Sequence, residues 1–117
     1  MLSLPPSVRV FLCLEPTDMR KGIDGLSALV EHRLQMDTFS GHLFCFFNKP
    51  RDKVKVLFWD TTGFCLYHKR LERGRFHLGS FSQGEPLTPV MLQLILEGLE
   101  LAEAKRHQRF SLPRSAA

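Results

Sequence analysis

Lys69, Arg70, Arg73 and Arg75 crowd one short stretch of the chain, with Tyr67, Phe76 and His77 set among them. Arginine forks hold phosphate oxygens in pairs and aromatic rings stack on exposed bases, so this combination can grip nucleic acid. A second pair, Arg20 and Lys21, sits where a helix is expected to begin. Free backbone N–H groups at such an end would converge with the two cations on a bound phosphate. The surrounding charge points the same way. Residues 49–75 carry eight cations against three acids, a net of +5, while the rest of the chain sums to −1. With an isoelectric point near 9.3, such clustering is the electrostatic footprint of a polyanionic partner, although a solvated basic face would have the same composition.

Other chemistries find little to stand on. The chain has no phosphate-binding GxxxxGK[ST] or GxGxxG loop, no HExxH and no GxSxG, so nucleotide hydrolysis and the common hydrolase mechanisms lack their residues. Two-metal strand transfer needs several carboxylates converging on a pair of ions. Asp18 and Asp24 fall near a helix start, Asp60 in a turn and Glu72 between arginines, places that caps, turns and surface ion pairs explain. The five histidines show no ligand spacing, and even His68 and His77, which could face each other across the Arg73–Gly74 turn, would lack a third ligand. Cys13, Cys45 and Cys65 form no CxxC pair and each lies in an apolar run, so they read as core residues in a reducing compartment. No catalytic residue, metal site or cofactor is expected.

The elements that must position the cations follow from the hydrophobic pattern. Val8 to Leu14 is a β-branched and aromatic run closed by Glu15–Pro16, a first strand. Met19, Ile23, Leu26, Val30 and Leu34 then recur at helical spacing. That helix is either capped by Thr17 or Asp18, or, because Gly22 and Gly25 weaken it, preceded by a turn and restarted at Asp24. His42 to Asn48 is nearly continuous in apolar residues, as in a strand buried on both faces. Lys53 to Asp60 and Phe64 to Leu71, separated by the Asp60–Gly63 turn signal, form a hairpin, and Arg75 to Leu78 would extend it into a meander. Trp59 and Tyr67 would brace this ribbon from behind. Thr88–Pro89 opens a second helix with an inward stripe of Met91, Leu94, Ile95, Leu99 and Ala102. Leu92, Leu96 and Leu101 leave that helix apolar around much of its circumference, so it is covered either by its own sheet or by a second copy of the chain.

These elements give an α+β fold: an antiparallel sheet of four to five strands, one helix after the first strand, and a longer C-terminal helix packed on it. At 117 residues and 13.5 kDa, 44% hydrophobic and with a mean hydropathy of −0.10, the chain is one soluble domain. Residues 8–103 form that domain and 104–117 a basic, flexible tail. No apolar run is long enough to cross a membrane, and Pro5, Pro6 and Arg9 interrupt any secretory leader, so the expected location is the cytoplasm.

Three strings carry a family likeness: PTDMRKGIDGL (Pro16 to Leu26), FSGHLFCF (Phe39 to Phe46) and KVLFWDTTGFCLYHKRLERGRF (Lys55 to Phe76). In order and wording they resemble the small second-reading-frame protein of the bacterial insertion-sequence-sixty-six group. That protein is the TnpB-type accessory protein, distinct from the RNA-guided nuclease of the same name. The likeness runs from about Arg9 to Leu99 and is most specific over Lys69-Arg70-Leu71-Glu72-x-Gly74-x-Phe76. His77–Leu78 stand where family members often have Trp–Pro. The resemblance implies a protein encoded beside a separate transposase and needed for efficient transposition, without strand-transfer carboxylates of its own. Together, residues and resemblance lead to a non-catalytic accessory factor for DNA transposition. It would bind DNA through a basic β-ribbon of Lys69, Arg70, Arg73 and Arg75, with Arg20 and Lys21 as a second contact. The alternative is an adaptor that docks on the transposase through the apolar C-terminal helix, which could also join two copies as a homodimer.

Overall fold

The computed structural model describes residues 4–98. Four strands form where the apolar runs lie: β1 (Val10–Cys13), β2 (Leu43–Phe47), β3 (Lys53–Asp60) and β4 (Gly63–Arg70), side by side in that order. All five residues of β2 are buried, as its unbroken hydrophobicity requires of a strand covered on both faces. The sheet is mixed rather than antiparallel. β1 pairs with β2 in parallel, and only β2–β3 and β3–β4 are antiparallel. The physical reason is the helix between the first two strands: a long helical crossover returns the chain to the end of the sheet from which it left, whereas antiparallel neighbours are joined by tight turns.

The crossover helix runs as α1 (Ile23–Leu29) and continues as a π-helix over Val30–Leu34. It does not begin at Thr17 or Asp18. Residues 17–22 form a turn in which Asp18 accepts from the Arg20 backbone N–H at 2.9 Å, and Gly22 is the N-cap. The glycine-weakened reading of the sequence therefore holds, with the helix starting one residue before Asp24. At its far end Gln35 adopts a left-handed conformation (φ 53°), and Arg33 pairs with Glu15 at 2.6 Å, fastening the π-turn to the loop after β1. The second helix, α2 (Pro89–Leu96), starts as expected: the Thr88 hydroxyl accepts from the Met91 N–H and proline occupies the first turn. It ends at Leu96, and Gly98 follows with φ 77°, a conformation glycine adopts readily. Leu99, Leu101, Ala102 and the basic tail lie outside the described residues. Within them the C-terminal helix is shorter than the helical run 23–34, not longer.

The helices cover opposite faces. On the α1 side Leu26, Val30 and Leu34 meet Cys13, Phe44, Phe46 and Leu57. On the α2 side Met91, Leu92, Ile95 and Leu96 meet Val10, Leu12, Leu43, Cys45, Phe47, Val54 and Val56. Each fully buried phenylalanine or leucine contributes about 1.5–3 kcal/mol by leaving water. Of the two covers proposed for α2, its described part uses its own sheet. Cys13 and Cys45 are buried in these cores, and burial pushes both thiols up, Cys45 strongly. Arg75 to Leu78 is not a strand. The Phe76 N–H donates to the Arg51 carbonyl at 2.7 Å, while Phe76 and Leu78 are drawn into the α2-side core. Apolar side chains there are spent on the core without a ladder to accompany them.

Candidate nucleic-acid interface

The β3–β4 register decides what the cations can do. Lys53 lies opposite Arg70, Val54 opposite Lys69, Lys55 opposite His68 and Val56 opposite Tyr67. Side chains alternate between faces, so Lys53, Lys55, His68 and Arg70 share the α1 side while Lys69 and Tyr67 share the α2 side. Three cations and a histidine thus share one face, and Lys53 and Arg70 form a directly opposed like-charged pair, an arrangement that costs about 0.2–1 kcal/mol. One acid answers them: Glu72 accepts from Arg70 at 3.0 Å, with both side chains largely exposed, so this pair is weak. His68 is held below its ordinary value, first by partial burial and then by Lys55, Lys53 and Arg70.

Lys55 is a special member of the group. It is 9% exposed and has no carboxylate partner among the described residues. Its ammonium donates to the Met19 carbonyl at 2.7 Å and the Lys21 carbonyl at 2.9 Å, which ties the turn before α1 to the sheet. Lys21 itself is exposed, its stem lying 3.3 Å from where a Cβ on Gly25 would stand. Arg20 grips both oxygens of Asp18, the closest at 2.7 Å, and its hydrogen bonds pull the Asp18 carboxyl down to about 2. Arg20 and Lys21 therefore stand in a turn before the helix, not in its first turn.

The other expected DNA-binding residues separate. Lys69 donates its ammonium to the Leu96 carbonyl at 2.7 Å, capping α2 where the helix dipole favours a cation. Arg73 and Arg75 are exposed in the segment that leaves β4. Backbone bonds from Leu71 to the Asp52 carbonyl and from Phe76 to the Arg51 carbonyl hold that segment beside the 48–53 turn. The turn itself is organised by Asn48, whose side-chain oxygen accepts from the Asp52 and Lys53 N–H groups. One end of the sheet consequently gathers Lys49, Arg51 and Lys53 with Arg70, Arg73 and Arg75. Sequence reasoning singled out only the last three of these. The net +5 over residues 49–75 was the available signal for the first three, and His68 and Lys55 needed the strand register.

The opposite end of the hairpin is aromatic. Phe39, 56% exposed, packs against Trp59 and Phe64 with ring centroids 5.1 and 5.3 Å away. Beside these rings opens a cleft of about 780 Å³ lined by Leu4, Val8, His42, Phe58, Trp59 and Cys65 among others. Trp59 belongs to the α1 side and Tyr67 to the α2 side, so the two brace the ribbon from different faces. Among the described residues no three His, Cys, Asp or Glu side chains are grouped to share a metal ion, and no helix is long and apolar enough to cross a membrane.

Comparison with known proteins agrees with the pattern of residues. Two proteins of Sinorhizobium fredii (strain NBRC 101917 / NGR234) match nearly end to end. The uncharacterized protein y4jC is 32% identical over 107 residues, covering 91% of this chain and 92% of the relative. The uncharacterized protein y4hO is 36% identical over 101 residues, covering 86% and 88%. No solved structure matches. The family model described as IS66 Orf2 like protein matches residues 8–106, and this chain belongs to that family.

Proposed function

We propose that the protein is a non-catalytic accessory factor of transposition that holds DNA at the cationic end of its β3–β4 hairpin, in the bacterial cytoplasm and alongside the element's transposase. Family membership supports the transposition role. The single observation that carries the DNA contact is the gathering of Lys53, Lys55, His68 and Arg70 on one face, with Lys53 directly opposite Arg70. A sheet gains nothing from setting like charges across from one another, and phosphate groups laid on that face turn the repulsion into attraction. Arg70, Arg73 and Arg75 supply forks for backbone oxygens, Arg51 and Lys49 extend the positive edge, and Lys21 adds charge from the turn before α1. Lys69 stands on the other side of the ribbon with its ammonium engaged by the Leu96 carbonyl, so it adds little to this contact. Such contacts fix position on a duplex and carry little sequence information.

The test is a salt titration of binding to an element-end duplex and to an unrelated duplex of equal length. Log affinity should fall linearly with log salt on both. Replacing Arg70, Arg73 and Arg75 together by alanine should flatten the slope by about 0.9 for each phosphate no longer neutralised. An unchanged slope removes the hairpin end from the interface.

A second reading, an adaptor that docks on the transposase, draws its support from the exposed Phe39 beside Trp59 and Phe64 rather than from α2, whose described apolar side chains mostly face the sheet. Large aromatic rings at a surface are common anchors of protein interfaces. Co-purification with the transposase that survives nuclease and high salt, and that Phe39→Ser abolishes, would establish it.

A further inference from the structure

Deepening the DNA reading, on which it rests for its biological ligand, we infer that Lys53, His68 and Arg70 form a site for one phosphate group, and that His68 takes up a proton when the site is filled. The register puts Lys53 and Arg70 directly across from each other, and His68 across from Lys55 on the same face. His68 and Arg70 are exposed and Lys53 half-buried, so an anion can reach all three. Lys55, buried and directly across from His68, adds its charge on the same face. Two of its three ammonium protons are fixed on the Met19 and Lys21 carbonyls, and among the described residues no carboxylate neutralises its charge.

The charged groups around His68 are few. They are Lys55 and Lys53 on β3 and Arg70 on β4, with Glu72 engaged by Arg70 just beyond the strand. From the turn packed against Lys55 come Asp18 and Arg20, paired with each other, and Lys21. Asp52, in the neighbouring turn, accepts from the Asn48 side-chain amide at 2.6 Å. The excess is cationic, and it adds to partial burial, the larger cause, in disfavouring a protonated imidazole. A phosphate between the cations reverses that preference, and a protonated ring offers it a further N–H donor. By linkage, binding must then strengthen as the pH falls through the range where the bound form protonates and the free form does not.

Two measurements on the full chain test this. In the first, the histidine ring resonances are followed from pH 5 to 8.5 in inorganic phosphate and in sodium chloride of equal ionic strength. The His68 midpoint should move upward in phosphate, and the movement should vanish in the Lys53→Ala/Arg70→Ala double variant, whose spectrum also reports whether it is folded. A midpoint that is the same in both salts, or a shift that survives the double change, overturns the site. In the second, duplex affinity is measured at fixed salt. The unaltered chain should bind about three- to tenfold more tightly at pH 5.5 than at pH 8, and His68→Gln should lose most of that difference. A variant that keeps the full pH dependence overturns the role of His68. If phosphate moves His68 but no duplex binds, the DNA reading fails and the anion site stands. If duplex binds with a salt slope yet neither pH nor phosphate has an effect, the site fails and the DNA reading stands.

Discussion

The two faces of the β3–β4 hairpin handle charge in opposite ways. On the α2 side Lys69 is the one cation, at the opposite end of the face from Asp60, and its ammonium is put to structural use at the end of α2. On the α1 side Lys53, Lys55, His68 and Arg70 are set against one another, and only Lys55 has its ammonium fixed by the fold. Both faces support a helix through an apolar middle, so the difference lies at the hairpin's end and not in the core. It teaches that a run of cations in sequence is not a cationic surface: the two-residue period of the strand hands alternate charges to different tasks.

That contrast can be broken at several points. The largest effects belong to the shared core. Phe47→Ala on the α2 side and Phe44→Ala on the α1 side should each lower stability by about 3–5 kcal/mol in urea unfolding. A loss below about 1 kcal/mol for either would mean that its helix does not seal that face. Next come the two lysines that satisfy backbone carbonyls. Lys55→Met should cost about 1–3 kcal/mol, since two carbonyls lose a charged donor, and Lys69→Met about 1 kcal/mol for one. Arg70→Met, one residue from Lys69, should leave stability within about 0.5 kcal/mol while weakening DNA binding, and Lys69→Met should do the reverse. If the two neighbours behave alike in both assays, the division between faces is not functional.

The smallest effect is a dependence on acid. Burial and neighbouring cations lower the His68 pKa in the folded chain, so the fold favours the neutral ring. Its contribution is present above the unfolded value near 6.5 and is lost as the pH falls from there through the lower folded value. Lys53→Ala should soften this loss of stability in a pH series, and His68→Gln should remove it. An identical acid profile for all three proteins would show that the cations do not act on the ring.

Much of the architecture was legible in the residues. The continuous apolar run at Leu43–Phe47, the alternation at Lys53–Asp60, the Asp60–Gly63 turn and the Thr88–Pro89 helix start each carry a local reason for their structure, and each stands where its pattern placed it. Two features escaped. The direction of β1 against β2 depends on where a long crossover delivers the chain, which no local pattern encodes. The Arg75–Leu78 segment has a strand's composition, yet its apolar residues are used by the core and its backbone answers the 48–53 turn. The candidate site was legible in part, because a charge count locates the basic region without saying which members share a face.

By itself, then, the order of amino acids determined most of the secondary elements, the apolar stripes and the concentration of positive charge between residues 49 and 75, because all of these are properties of neighbouring residues. Only the tertiary structure decided that Lys69 closes a helix while Arg70 and His68 meet Lys53 and Lys55 across a strand, and that Lys49 and Arg51 join Arg73 and Arg75 at one edge. Those outcomes depend on strand register and on turns held by distant backbone bonds, which bring together groups that the chain keeps apart.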